Sequence, residues 1–191
     1  MKYLTINEIL AICKDVSASD RIRSFDPEVI LYIKEAGWLI GTTLSQVLNL
    51  PLYGIKTSRI GNNTKQRFEN FFGYLPWQFS HLLRVIEMKL PIHKTLSKRD
   101  IIIDRNFLQL KFDTRILLVD DAIDSGVSFS SVVSFLRGKG YKNILSFVIT
   151  TTSDKPIYSA DISYLKEIIT FPWSIGSPEY KKYKEYIKNN V

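Results

Sequence analysis

The sequence contains a single cysteine, Cys13, and no long uninterrupted apolar segment. One cysteine cannot form a disulfide within the chain. A helix that crosses a bilayer needs about 20 consecutive apolar residues, and the longest apolar runs here are under about ten. The N-terminal stretch MKYLTINEIL also lacks the layout of a secretory signal peptide. We therefore expect a cytoplasmic protein in a reducing environment, without a membrane segment.

Histidine is scarce as well, and the sequence has no internal repeat or low-complexity tract. His81 and His93 are too isolated for a metal site or a catalytic triad. The net charge is +7, but only the tail from Glu179 is densely basic. Elsewhere the basic residues are spread along the chain and no groove-reading motif is present, which argues against direct nucleic-acid binding. The net positive charge suits a small polyanionic substrate.

The first half of the chain has the alternation typical of an α/β protein. Thr5 and Glu8 have the spacing of a capping box, which predicts an N-terminal helix that packs Cys13. Residues 26–33 and 51–58 are predicted strands, joined by a glycine-bearing turn at 34–37 and a helix at 38–50. Strand, helix and strand in this order predict a right-handed βαβ unit and a parallel sheet.

The second half resumes this alternation after an interruption. Residues 61–106 contain a polar loop and a helix at 76–90, which we interpret as an insertion that covers a site or forms an oligomer contact. At 191 residues the whole chain, 1–191, fits one domain, with 152–191 as its C-terminal region. The later predicted elements are strands at 115–119, 143–150 and 167–171 and helices at 128–140 and after Glu179.

The sequence ILLVDDAIDSGVS, residues 116–128, carries the clearest chemical signal. In an open parallel sheet, ligands bind beyond the carboxyl ends of the strands, where Asp120 and Asp121 are expected. Their carboxylates accept hydrogen bonds from vicinal hydroxyls or bind a hydrated cation. The loop that enters the next helix can hold a phosphate, through Ser125, Gly126, Val127 and Ser128. A sugar phosphate has both groups, although acids before a glycine also form plain strand-end turns.

These residues resemble the signature of the type I phosphoribosyltransferases, which is an apolar strand, two acids, two apolar residues and a small polar loop. Residues 28–56 are similar to the first strand, pyrophosphate loop, helix and second strand of that family. The resemblance implies a central, mainly parallel sheet flanked by helices, with a hood and a helical insertion. It also implies a homodimer that transfers ribose 5-phosphate from phosphoribosyl pyrophosphate to a nitrogen nucleophile, with the assistance of Mg²⁺.

The same resemblance assigns roles to individual residues. Asp120 and Asp121 are expected at the ribose hydroxyls, with Asp121 also at Mg²⁺, and residues 125–128 at the 5-phosphate. The pyrophosphate loop maps onto Lys34, Glu35, Ala36 and Gly37, which we expect to act mainly through backbone N–H groups. Lys56 and Arg59 are candidates for the same clamp, or else are solvated surface cations.

The acceptor is predicted from two further segments. In members that use 6-oxopurines an aspartate stands at the position of Asp124, where it serves as general base or hydrogen-bond acceptor, or simply caps the loop. Residues 168–174, IITFPWS, resemble the segment that closes the base pocket of bacterial xanthine and guanine transferases. The stacking aromatic falls on Ile168 and the base-reading lysine near Thr151, with Lys155 as a substitute, and Trp173 is interpreted as a packing residue.

Three functions are compatible with the sequence. The first is transfer to a nucleobase, namely xanthine, guanine or hypoxanthine. The second is a regulator of the same fold that senses phosphoribosyl pyrophosphate or nucleotides and binds nucleic acid. The third is transfer to an unusual acceptor, which the insertion and the missing base-pocket residues favour.

Overall fold

The computed structural model describes residues 2–59 and 99–190, and for Arg59 and Arg99 the backbone only. Predictions for residues 61–66 and 76–90 therefore lie outside the described residues. The strands are β1 (Lys2–Tyr3), β2 (Val29–Ile33), β3 (Leu52–Arg59), β4 (Arg99–Ile103), β5 (Ile116–Ile123), β6 (Ile144–Thr151), β7 (Ile162–Leu165) and β8 (Ile169–Thr170). The helices are α1 (Ile6–Ser17), α2 (Asp20–Phe25), α3 (Trp38–Leu48), a 3₁₀ helix (Arg105–Gln109), α4 (Val127–Gly138) and α5 (Tyr180–Asn190).

The described strands form a central sheet in the order β4-β3-β2-β5-β6-β7. All neighbours in it are parallel except β3 and β4. Ile30 pairs with Leu52 of β3 on one side and with Leu117 of β5 on the other, so β2 is central. The mainly parallel α/β sheet agrees with the predicted fold class.

The direction in which strands are added reverses at β2. The crossover through α3 leads from β2 to β3, and the crossover through α4 leads from β5 to β6 on the opposite side. Because both crossovers have the same hand, the two helices cover opposite faces of the sheet. One face packs α1, α3 and the C-terminal segment, and the other packs α4 and the 3₁₀ helix. Two buried cores result, one on each face of the sheet.

Several local predictions are confirmed. Thr5 Oγ1 accepts from the Glu8 N–H at 3.2 Å, and Glu8 Oε2 accepts from the Thr5 N–H at 2.7 Å, which completes the capping box of α1. Cys13 is fully buried in that helix, and burial raises the pKa of its thiol to about 12. Helix α3 ends where Asn49 adopts the left-handed conformation, with φ at 53°.

Other predictions need correction. Strand β5 does not end at residue 119 but continues to Ile123, because β6 still pairs with it beyond the last pair with β2. The strand predicted at 167–171 is shortened to β8, which pairs with β1 in a separate two-stranded sheet. The sequence prediction missed α2 and β7, and β7 is the edge strand next to β6.

The end of the segment interpreted as an insertion belongs to the central sheet. Residues 99–103 form β4, and Ile55 pairs with Ile103 in an antiparallel register. This strand has mixed basic, acidic and apolar residues, so its local pattern carries little signal. Within residues 2–59 and 99–190, none of the helices has the length and apolar character needed to cross a membrane.

Candidate active site at the switch point of the sheet

The candidate site lies where the strand order reverses, between the carboxyl ends of β2 and β5. The last pair between these strands is Tyr32 with Val119, so Asp120 and Asp121 project beyond β2 while β6 still supports them. In the turn that follows β2, Gly37 starts α3 directly against β5. A Cβ at Gly37 would lie 2.6 Å from the Ile33 carbonyl oxygen and 3.2 Å from that of Val119. A side chain at position 37 would collide with the carbonyl oxygen of Ile33 in its own turn, so this turn beside β5 requires a glycine.

Asp120 is the buried member of the acid pair, with 8% of its surface exposed. Its Oδ1 accepts a hydrogen bond from the Asp121 N–H at 2.9 Å. Burial, and next the charge of Asp121, raise the pKa of Asp120 well above its usual range, although the backbone hydrogen bond opposes this shift. Ionisation of Asp120 beside the Asp121 carboxylate is therefore disfavoured.

Asp121 is half-buried and has an indole partner that sequence analysis missed. Trp173 Nε1 donates to Asp121 Oδ2 at 3.0 Å. The Trp173 ring stacks on Phe171 with 4.9 Å between centroids, and it lies 5.4 Å from the ring of Tyr183 in α5. Burial and the charge of Asp121 raise the pKa of Tyr183 to about 12. The packing role predicted for Trp173 agrees with these contacts.

The predicted phosphate loop forms the start of α4. Gly126 is the N-cap residue with φ at 78°, as its glycine predicted, and has no side chain to cap the helix. The first N–H groups of a helix have no partner within the helix, and the helix dipole favours an anion beside them. Val127 and Ser128 belong to this first turn, and Ser125 precedes it. The chemistry needed for phosphate binding is therefore adjacent to the acid pair.

A segment between β6 and β7 braces the back of this loop. The Ile157 N–H donates to the Ser125 carbonyl oxygen at 2.9 Å. A Cβ at Gly126 would lie only 2.7 Å from the nitrogen of Tyr158 and 2.8 Å from its carbonyl oxygen. Tyr158 in turn stacks on Phe129 of α4 with 5.5 Å between centroids. No local pattern in the sequence indicates this contact.

Asp124 is exposed at the tip that follows β5. Thr152 Oγ1 donates to Asp124 Oδ1 at 3.3 Å, and the Thr152 N–H donates to the carbonyl oxygen of Ile123 at 2.9 Å. Thr152, which directly follows β6, thus holds the Asp124 carboxylate.

The predicted pyrophosphate loop uses several of its groups internally. The Lys34 N–H donates to the carbonyl oxygen of Ile55 at 2.8 Å, and the Gly37 N–H donates to that of Ile33 at 3.1 Å. These bonds leave Glu35 and Ala36 as the positions best suited to contact an anion through backbone N–H groups. Glu35 has a φ of 82°, an uncommon conformation for a residue with a side chain.

The cations predicted near this loop form ion pairs. Lys34 Nζ lies 2.9 Å from Asp104 Oδ1, and Asp104 Oδ2 accepts from the Gly54 N–H at 2.7 Å. Lys56 Nζ lies 3.2 Å from Glu35 Oε1, and both side chains are largely exposed. The charge of the Glu35 carboxylate is therefore paired with a lysine and not directed at the backbone of the loop. The side chain of Arg59 lies outside the described residues.

The region predicted to hold the base has hydroxyl and aliphatic groups. Ile168 is 38% exposed just before β8. Thr151 Oγ1 and Ser163 Oγ lie 2.9 Å apart, and Thr150 Oγ1 donates to the Glu167 carbonyl oxygen at 2.6 Å. Lys155 is exposed on the segment that follows β6.

A model of the phosphoribosyl transferase domain matches residues 2–182, nearly the whole chain. A purine phosphoribosyltransferase from Pyrococcus horikoshii is similar in structure, with a TM-score of 0.60 and 19% identity over 90% of this chain and 92% of that one. A xanthine-guanine-hypoxanthine phosphoribosyltransferase from Helicobacter pylori has a TM-score of 0.59 and 19% identity over 96% of this chain and 98% of that one. A hypothetical protein from Neisseria gonorrhoeae with bound ppGpp has a TM-score of 0.59 and 12% identity over 100% of this chain and 98% of that one.

At identities this low, the structural similarities show that the fold is shared and do not by themselves show a shared activity. A comparison with curated protein sequences finds no match. The match to the domain model includes the acid pair, the start of α4 and the loop after β2. The chain therefore belongs to the phosphoribosyl transferase domain family.

Proposed function

We propose that this protein transfers ribose 5-phosphate from phosphoribosyl pyrophosphate to a ring nitrogen of a purine-like base and releases pyrophosphate. The observation that carries this proposal is the junction of β5 and α4. Two carboxylates at 120–121 are followed within five residues by an uncapped helix N-terminus at Gly126. Ribose hydroxyls need acceptors and a phosphate needs N–H donors, and this junction offers both.

The phosphorylated sugar is proposed to lie along that junction. The N–H groups at the start of α4 and the hydroxyls of Ser125 and Ser128 bind the 5-phosphate. Asp120 and Asp121 bind the ribose hydroxyls. Burial raises the pKa of Asp120, and in its protonated form this carboxyl can both donate to and accept from a hydroxyl. The brace at Tyr158 keeps the loop in its binding conformation without contacting the sugar.

The leaving pyrophosphate is proposed to meet the loop after β2, through the N–H groups of Glu35 and Ala36, with Lys56 close by. Mg²⁺ fits this arrangement, since it is commonly held by one or two carboxylates together with substrate phosphate oxygens. Asp121 is the proposed protein ligand, and the described residues 2–59 and 99–190 contain no group of three or more acidic, histidine or cysteine residues that would bind a metal alone. The ion would neutralise charge that develops on the leaving group.

Asp124 is proposed to accept the proton of the attacking base. Its carboxylate is exposed at the strand tip, and Thr152 orients it. We propose xanthine, guanine or hypoxanthine as the acceptor, with Ile168 against the face of the base. The names of the Pyrococcus and Helicobacter relatives favour a purine. We also propose a homodimer, as the family resemblance implies.

Conversion of radiolabelled nucleobases, with phosphoribosyl pyrophosphate and MgCl₂, tests this function. We expect nucleotide formation from at least one 6-oxopurine, and a loss of about 10²- to 10⁴-fold in kcat for Asp124→Asn. The matched control is Asp154→Asn, which removes an exposed carboxylate from the segment after β6 and should retain activity. Absence of turnover across all nucleobases, with phosphoribosyl pyrophosphate still bound, would exclude transfer to a base.

A second candidate is a regulator that binds a nucleotide without transferring ribose. The ion pairs of Lys34 and Lys56, and the aliphatic and hydroxyl groups in the base region, favour it. The Neisseria relative with bound ppGpp shows the same fold with a guanine nucleotide. Calorimetric titration with guanine nucleotides, together with a mobility shift of DNA and RNA at low and high salt, tests this candidate. Phosphate contacts would give affinity that falls steeply with salt.

A further inference from the structure

The hydrogen bond between Trp173 and Asp121 connects two distant parts of the chain. The donor and acceptor residues are 52 positions apart, and the N–O distance is 3.0 Å. Asp121 belongs to β5, beside the phosphate loop, whereas Trp173 follows β8 in the C-terminal region. A hydrogen bond to a charged carboxylate is stronger than one between neutral groups, and it restricts the orientation of the carboxylate.

The indole ring itself has little freedom. Phe171 stacks on it in a nearly parallel arrangement, with 6° between the ring planes. Tyr183 of α5 lies against it at 53°, and both neighbouring residues are buried, with exposures of 5% and 4%. A ring held between such neighbours keeps its N–H in one direction. The C-terminal helix therefore helps to hold the indole donor in place.

We infer that Trp173 is a positioning residue that orients the Asp121 carboxylate for the ribose and the metal ion. This inference rests on the proposed function. It assigns Trp173 a role different from stacking on the base, because the ring contacts Phe171 and its N–H is used by Asp121. An indole is required here rather than any aromatic ring, since phenylalanine has no donor. The C-terminal helix contributes through Tyr183, although it is far from the acid pair in sequence.

The contact itself is tested without any substrate. In ¹H–¹⁵N spectra the three indole signals belong to Trp38, Trp77 and Trp173, and Trp173→Phe assigns the last by its disappearance. We expect Asp121→Asn to move the Trp173 indole proton upfield, because a carboxylate acceptor is lost, while the Trp38 signal stays in place. An unchanged Trp173 signal in Asp121→Asn would overturn the inference.

The role is tested by calorimetric binding of phosphoribosyl pyrophosphate with Mg²⁺. We expect Trp173→Phe to weaken this binding about tenfold, equivalent to about 1.4 kcal/mol, and to raise KM for phosphoribosyl pyrophosphate more than KM for the base. Tyr141→Phe is the matched control. It removes a hydroxyl that donates to the Phe107 carbonyl oxygen at 3.1 Å in the other core, so it should lower stability and leave binding unchanged.

The outcomes separate this inference from the proposed function. Failure of the wild-type protein to bind phosphoribosyl pyrophosphate would refute the proposed function and the positioning role with it. Binding by the wild type that Trp173→Phe leaves unaltered would refute the positioning role alone. A rise of KM for the base only would show that Trp173 stacks on the base, and would also refute it.

Discussion

Asp120 is a residue whose ionisation lowers the stability of the folded protein. It is buried at the end of β5, and Asp121 lies beside it in the chain. Burial and the neighbouring charge raise its pKa in the folded state above the value of about 3.9 in an unfolded chain. A side chain whose pKa rises on folding contributes its full stability at pH values below its pKa in the unfolded chain. That stability is lost as the pH rises from there through the folded pKa.

Asp120→Asn should therefore raise the melting temperature at pH 7, and the gain should shrink as the pH falls towards 4. Asparagine cannot ionise, and its amide oxygen can still accept from the Asp121 N–H. For a chain of this size each kcal/mol shifts Tm by about 2–4 °C. Thermal unfolding followed by circular dichroism between pH 4 and 7 measures the difference, with Asp154→Asn as the exposed control. A gain of equal size at pH 4 and pH 7 would show that ionisation of Asp120 is not its cause.

At the scale of elements, the start of α4 depends on a segment that does not belong to it. The backbone at Tyr158 lies against Gly126, and Tyr158 Oη donates to Ser146 Oγ at 3.1 Å. Ser146 Oγ in turn donates to Asp161 Oδ2 at 2.6 Å. Loops are in general more mobile than the helices and strands they connect. This network anchors the start of α4 to β6 of the central sheet.

Gly126→Ala and Gly138→Ala form a matched pair at the two ends of α4. The first introduces a Cβ at a φ of 78° and within 2.7 Å of Tyr158 backbone, while the second meets nothing within 4 Å. We expect Gly126→Ala to lower the free energy of unfolding by about 1–3 kcal/mol, and Gly138→Ala to change it by less than about 1 kcal/mol. Urea denaturation measures both values. Equal effects of the two substitutions would argue against the brace.

At the scale of the whole molecule, the basic charge and the switch point favour the same kind of ligand. The net charge of +7 attracts polyanions from solution, and the loops after β2 and β5 converge where a phosphorylated sugar would bind. A ligand that binds only the folded state raises the free energy of unfolding by RT ln(1 + [L]/Kd). Binding is therefore measurable without knowing the acceptor.

We expect phosphoribosyl pyrophosphate and purine nucleoside monophosphates to raise the melting temperature, and the corresponding nucleosides to leave it nearly unchanged. At a ligand concentration about 100 times Kd the gain is about 2.7 kcal/mol. A thermal-shift panel of these compounds is the measurement. A response to nucleosides equal to that of the monophosphates would show that the phosphate loop does not carry the binding.

The sequence by itself determined the elements whose signals are local. The capping box of α1, the apolar strand β2 and the glycine that opens α4 follow from residues a few positions apart, and so does the candidate site at 120–128. Only the tertiary structure decided the length of β5, the pairing of β8 with β1 and the partners of Lys34 and Asp121. These contacts join groups that are remote in sequence, and their free energy depends on which surfaces the folded chain brings together.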